Sequence, residues 1–298
     1  MQIQSLSVVV PNSKCINCCP FCVSRMVSEY GFDYENLMDI NHPHYDINVQ
    51  EYMKRLRYVA DNGCHTMMLT GTTEPQQNKQ FLATLGLLHR LIGSPFRNIE
   101  MQTTGFGLDK DRDYIRFLRN YVGVNTIAIS VNGMSDEQNC RIIGHLGEDG
   151  EPEFKLDDFC KLLKDYGYNI RVCINLTDAF NGHSGNEICS WAVGGLGADQ
   201  ITFRKLYSSS RDTPQGKWIE NHSIAIETRS NIEEYLSHRT VLGKTPYGAT
   251  IYEGWNCSIV YDTDCMGKNP LTDTHKYLIL RQNCRLYAQW DTPASLVF

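Results

Sequence analysis

A short apolar run followed by a stretch with helical spacing recurs along this chain from Leu6 to Phe203, and that alternation constrains the fold most. The runs are Leu6–Val10, Thr66–Leu69, Asn98–Thr103, Thr126–Val131, Asn169–Leu176 and Gln200–Phe203. Between the first two, residues 23–46 read as a short helix and a loop. A second helix is expected from a cap at Asn48 to Asn62-Gly63, with Val49, Tyr52, Met53, Leu56, Val59 and Ala60 on one face. Further helices are expected over Phe81, Leu82, Leu85, Leu88 and Leu91, and over residues 110–121, Leu156–Tyr166 and residues 185–196. Short apolar runs of this kind suit strands buried on both faces. The pattern implies an α/β fold with a parallel sheet, open or closed into a barrel, and six strands fall short of an eightfold barrel.

After Phe203 the pattern changes. Residues 208–223 read as a mobile loop, and a short helix is expected over roughly Asn231–Arg239. Two hairpins follow: Ala249–Tyr252 with Ser258–Tyr261 about Glu253-Gly254, and Tyr277–Leu280 with Arg285–Gln289. The division expected is a core over residues 1–207 and a small antiparallel extension over 208–298.

The chain's 298 residues, 42% hydrophobic, suffice for a sizeable core. A net charge of -6 argues against a dedicated nucleic-acid binder, which would show a basic face. No stretch approaches a membrane span, and Met1-Gln2-Ile3-Gln4 lacks the features of a signal peptide, so a cytoplasmic location is expected. The twelve cysteines are then read as thiols rather than disulfides. Cys64, Cys140, Cys160 and Cys173 sit in apolar patterns and read as buried core thiols.

Four cysteines crowd into Cys15-Ile16-Asn17-Cys18-Cys19-Pro20-Phe21-Cys22. Two spacings run through them. Two abutting C-x2-C pairs, Cys15/Cys18 and Cys19/Cys22, use the spacing of zinc sites, although zinc modules usually separate their pairs by a dozen residues or more. C-x3-C-x2-C uses Cys15, Cys19 and Cys22 and suits a short loop over one face of an iron–sulfur cube, holding three irons and leaving the fourth open. With Phe21 before the last cysteine and an apolar strand just upstream, this loop resembles the cluster loop of the radical SAM superfamily. The resemblance implies a partial (β/α)6 barrel and a [4Fe-4S] cluster on Cys15, Cys19 and Cys22. It also implies S-adenosylmethionine (SAM) on the open iron, reductive cleavage to a 5′-deoxyadenosyl radical, and an electron donor such as flavodoxin or ferredoxin.

The resemblance extends to the ends of later strands. Gly71-Thr72-Thr73-Glu74-Pro75 stands where the family has a Gly-Gly-Glu-Pro-like turn that takes the methionyl ammonium, although two threonines replace small residues. Ser130 or Asn132 is implied near the ribose or the carboxylate of SAM, with Arg141, on the loop that follows, a further carboxylate partner. Thr103, Asn175 and Arg204 end their strands at the same mouth. Gly194-Gly195-Leu196-Gly197 follows a helix and reads as a helix stop, not a dinucleotide fingerprint.

The histidines show no H-x3-H or H-E-x-x-H spacing, so no mononuclear metal is assigned. Cys257, Cys265 and Cys284 raise an auxiliary cluster, and Cys265 a hydrogen-atom donor. The reading favoured is a radical SAM enzyme acting on a small-molecule or nucleotide-like substrate. The alternatives are a peptide maturase using a C-terminal thiol or second cluster, and a non-catalytic zinc-binding module.

Overall fold

The computed structural model describes residues 2–12, 14–26, 47–71, 73–208, 212–245, 249–262, 274–290 and 292–298. Six strands form the heart of the sheet: β1 (Gln2–Val9), β2 (Thr66–Thr70), β3 (Asn98–Thr103), β4 (Thr126–Val131), β5 (Asn169–Asn175) and β6 (Gln200–Arg204). Each pairs in parallel with its sequence neighbour. The bounds of β3 and β4 coincide with the expected runs, and Met67, Leu69, Ile99, Met101, Ile127, Ile129, Ile170, Val172, Ile201 and Phe203 are buried.

Most helices lie where apolar spacing puts them, and side-chain caps set most of their starts. In α1 (Val49–Asp61), Asn48 accepts from the Glu51 amide and Tyr52, Leu56 and Val59 are buried. In α2 (Lys79–Leu91), Asn78 accepts from the Phe81 amide and Phe81, Leu82, Leu85 and Leu88 face the core. Then follow α3 (Arg112–Phe117), α4 (Asp136–Ile143), α5 (Leu156–Asp165) and α6 (Gly185–Gly194). The sequence reading left α4 as loop; a reciprocal Ser135–Gln138 capping box starts it. It also took residues 208–223 as loop, whereas Pro214–Asn221 form α7, capped by Thr213. Pro214 there is a first-turn proline, which helices accept because its missing N–H would be unsatisfied anyway. The last helix, α8 (Ile226–Ser237), begins earlier than expected.

The C-terminal strands are β7 (Val241–Lys244), β8 (Thr250–Glu253), β9 (Ser258–Asp262), β10 (Thr274–Leu280) and β11 (Leu286–Tyr287). The expected hairpins are present as β8–β9 and β10–β11, both antiparallel. Their inner strands also join the core sheet: β9 runs parallel to β6, and β10 parallel to β1. The order is β11-β10-β1-β2-β3-β4-β5-β6-β9-β8-β7, a mostly parallel sheet whose edge strands β11 and β7 do not pair with each other among the described residues. This is a partial barrel. Among the described residues, no helix is long and apolar enough to cross a membrane.

Candidate active site

Parallel strands send their C-terminal ends to one rim, where ligands bind in such folds. β1 leads there into the cysteine loop, and β2 to β6 into the loops that carry the other candidates. Below the rim a cavity of about 1420 Å³ runs along one face of the sheet, from Cys15, Cys19 and Cys22 at one end to Gln2, Gly63 and Asn98 at the other. Its wall carries an ion pair, Arg171 Nη1 to Glu100 Oε2 at 2.9 Å, in which the Glu100 side chain is buried.

Cys15, Cys19 and Cys22 are half-buried and all face the cavity, whereas Cys18 is exposed and does not line it. Burial pushes the Cys19 thiol well above its ordinary value, and the neighbouring Cys22, Glu74 and Cys15 push the same way. Cys15 is raised by burial too, against the opposing Asn17 amide, which donates to its sulfur at 3.4 Å. These are soft donors collected where a free thiolate is disfavoured and a cationic group is wanted. Among the described residues, no group of three or more His, Cys, Asp or Glu converges to hold a single metal ion.

The turn after β2 departs from its expected role. A Cβ on Gly71 would lie 2.7 Å from the Val10 carbonyl oxygen, so the close approach that requires glycine is made by the backbone just after β1. Gly71→Ala is expected to lower stability by about 1–3 kcal/mol, read as a fall in the thermal denaturation midpoint. Thr72 lies outside the described residues. Thr73 lines the cavity, and its hydroxyl is buried without a hydrogen-bond partner among the described residues.

The Glu74 carboxylate, expected to accept from the methionyl ammonium, is instead engaged by the protein. Oε1 accepts from Asn17 Nδ2 at 2.7 Å, and Oε2 from Gln76 Nε2 at 3.0 Å and from the Thr103 hydroxyl. The Thr104 amide donates to both oxygens, at 3.3 and 3.1 Å. A carboxylate offers about four lone-pair sites, and these donors occupy them. Burial raises the Glu74 carboxyl, and the same donors hold it down.

Thr103, Ser130, Asn132, Asn175 and Arg204 all line the cavity. Asn175 Nδ2 donates to Asn132 Oδ1 at 2.8 Å, joining the ends of β4 and β5. Arg141 does not join them. It sits on α4, its side chain exposed and paired with Glu137 one turn earlier. Cys257 precedes β9 at the far end of the sheet and Cys284 follows β10 at the rim, so these two cannot share one cluster. Cys265 lies outside the described residues.

Other residues around the loop escaped the sequence reading because they follow no periodic or metal-ligand pattern. Asn17 is buried between the exposed Ile16 and Cys18. His145, after α4, reaches Asn17 Oδ1 with Nε2 at 2.9 Å and stacks on Phe106 with centroids 3.4 Å apart. Phe21 packs on Trp218 of α7, which stacks on His222, whose Nδ1 meets Asp178 Oδ2 at 2.9 Å. The segment expected as a loop therefore covers the aromatic residue of the cysteine loop.

Comparison with known proteins bears on the family and the fold. A family model described as Radical SAM superfamily matches residues 9–190. Among solved structures, native anSMEcpe with bound AdoMet (SAM) is similar with a TM-score of 0.60 and 16% identity, over 97% of this chain and 75% of that one. The same protein with bound AdoMet and a Kp18Cys peptide aligns with a TM-score of 0.58 and 14% identity, over 96% and 74%. No curated protein matches.

Proposed function

Because this chain belongs to the radical SAM superfamily, whose enzymes use a [4Fe-4S] cluster and S-adenosylmethionine, we propose that Cys15, Cys19 and Cys22 are the thiolates that hold its cluster. The observation that carries this reading is the gathering of these three thiols, and not Cys18, at the rim of the cavity. Two features fit the cofactors. The donor set is soft and sits where burial and mutual repulsion call for positive charge. The unpartnered Thr73 hydroxyl offers a buried polar atom to a ligand beside it.

When bound, the cluster supplies the electron that cleaves a sulfonium C–S bond of SAM, giving a 5′-deoxyadenosyl radical that takes hydrogen from a substrate. The chain's own residues do the positioning. Thr73, Ser130, Asn132 and Asn175 line the rim beside the thiols and are the groups assigned to the polar parts of SAM. Glu74 holds the loop rather than the ligand. The cavity wall, with the Glu100–Arg171 pair and Gln102, suits a polar small-molecule or nucleotide-like substrate. A small electron carrier such as flavodoxin or ferredoxin is the reductant this chemistry calls for.

A short peptide is the second reading. The cavity, about 1420 Å³, exceeds the roughly 300–1,000 Å³ usual for small-molecule sites, and anSMEcpe, whose fold is similar, is known with a bound peptide. The test is anaerobic incubation of the reconstituted protein with dithionite and SAM, with 5′-deoxyadenosine as the readout. A variant lacking all three cysteines serves as control. Product from the parent alone is expected; equal yields from both would contradict the assignment. Adding small metabolites or peptides to the same assay, and watching which raises the yield, separates the two substrate readings.

A further inference from the structure

We infer that Asn17 is the positioning residue of the cysteine loop, its amide fixing where the three thiols stand relative to the rim. The inference rests on the cluster assignment above and adds a residue outside the metal-ligand pattern.

The loop from Cys15 to Cys22 has no ladder of its own, so its placement depends on contacts with neighbours. Some involve its ends and backbone. The Ile16 amide donates to Gln77 Oε1 at 3.1 Å, Gln77 Nε2 donates to the Lys14 carbonyl at 3.0 Å, and the Cys18 amide donates to the Ile143 carbonyl at 2.9 Å. Asn17 is the one fully buried residue of the loop, 2% exposed where its neighbours are half-buried or exposed.

That one amide ties three separate segments to the loop. Nδ2 donates to Glu74 Oε1 at 2.7 Å, on the turn after β2, and to Thr104 Oγ1 at 3.0 Å, just after β3. Oδ1 meets His145 Nε2 at 2.9 Å, after α4. The pattern fixes its own orientation: the carboxylate can only accept, so the amide nitrogen faces Glu74 and the amide oxygen faces the histidine. His145 must then carry its proton on Nε2. Its ring is held by the stack on Phe106, and its Nδ1 is 3.7 Å from Glu153 Oε2. The Asn17 carbonyl also accepts from Arg25 Nη2 at 3.0 Å, which folds the far side of the loop back onto it. Neither an aspartate nor an aliphatic side chain can donate to a carboxylate and accept from a histidine at once.

The Asn17–Glu74 pair can be inverted. Asn17→Asp alone sets two carboxylates against each other, and Glu74→Gln alone sets two amide nitrogens against each other. In the double variant a glutamine nitrogen at position 74 would donate to an aspartate at position 17. Its oxygen would still accept from Gln76, Thr103 and Thr104, and the aspartate would still accept from His145.

The experiment uses full-length protein, reconstituted without oxygen, as parent, Asn17→Leu, Asn17→Asp, Glu74→Gln and the Asn17→Asp/Glu74→Gln pair. Two readouts apply besides activity: the rate of iron loss to a ferrous chelator, and the electron paramagnetic resonance spectrum of the reduced cluster with and without SAM. Thermal melts check that each variant is folded. The three single variants are expected to lose iron about 10-fold faster or more, the scale of outer-sphere partners of metal ligands, with the SAM-dependent spectral change altered. The pair is expected to return toward the parent in both. Single variants that match the parent, or a pair no better than either single change, would overturn the inference. A parent without iron and sulfide would instead overturn the cluster assignment itself.

Discussion

Cys19→Ala is expected to leave a folded protein that takes up no stable cluster and forms 5′-deoxyadenosine only at background. Cys19 feels burial and the negative charge of Cys22, Glu74 and Cys15 together. Such a thiol stays protonated in the empty protein, and it becomes a thiolate only when irons supply the compensating charge. Loading therefore releases protons and should weaken as the pH falls, because acid competes for the same sulfurs. Iron and sulfide content after reconstitution, measured across pH, checks both statements. Cys18→Ala is the informative contrast. Cys18 is exposed and does not line the cavity, and an alanine keeps the backbone amide that donates to the Ile143 carbonyl, so parent-like iron content is expected. Loss of metal from Cys18→Ala equal to that from Cys19→Ala would favour the paired C-x2-C spacing instead.

The second large effect is expected from Glu74→Leu. Glu74 is 7% exposed and receives donors from Asn17, Gln76, Thr103 and Thr104. Leucine fills similar space but orphans all of them, and a buried unsatisfied polar group costs about 1–3 kcal/mol. Partial rearrangement and water entry recover some of that, so a net loss of roughly 3–5 kcal/mol is expected, as for a broken buried charge network. That corresponds to a fall of roughly 5–8 °C in melting temperature for a chain of this size. The cysteine loop should loosen as well, since Asn17 loses its strongest partner. A Glu74→Leu protein that melted with the parent would show that the carboxylate does not anchor this end of the sheet.

Much of the fold was legible because periodicity is local. The spacing of Tyr52, Leu56 and Val59 gave α1, and short, largely apolar runs gave β1 to β6. What was missed depends on distant partners or on chemistry that spacing does not encode. Gly254 signals the β8–β9 turn, but nothing near Ser258 announces that β9 will pair with β6, and nothing near Tyr277 announces β1. Pro214 and Gly216 resemble turn residues, although Thr213 and a first-turn proline start a helix. Ser135 and Gln138 spelled out a capping box that would have moved Arg141 from a loop to α4, and away from the rim.

The candidate site divides in the same way. The cysteine spacing and the strand-end residues were readable, and the cavity gathers Thr73, Thr103, Ser130, Asn132, Asn175 and Arg204. The role of Glu74 was not readable, because its partners come from three places in the chain. Asn17 was visible as a polar residue among cysteines, but its function depends on Thr104 and on His145, 128 positions away. Such hydrogen-bonded hubs have no period, and only the assembled fold identifies them.

The most direct test of the central claim is the metal and sulfide content of the anaerobically reconstituted protein. About four irons and four acid-labile sulfides per chain are predicted, lost together when Cys15, Cys19 and Cys22 are replaced and retained in Cys18→Ala. Zinc without sulfide, dependent on all four cysteines of the loop, would contradict it.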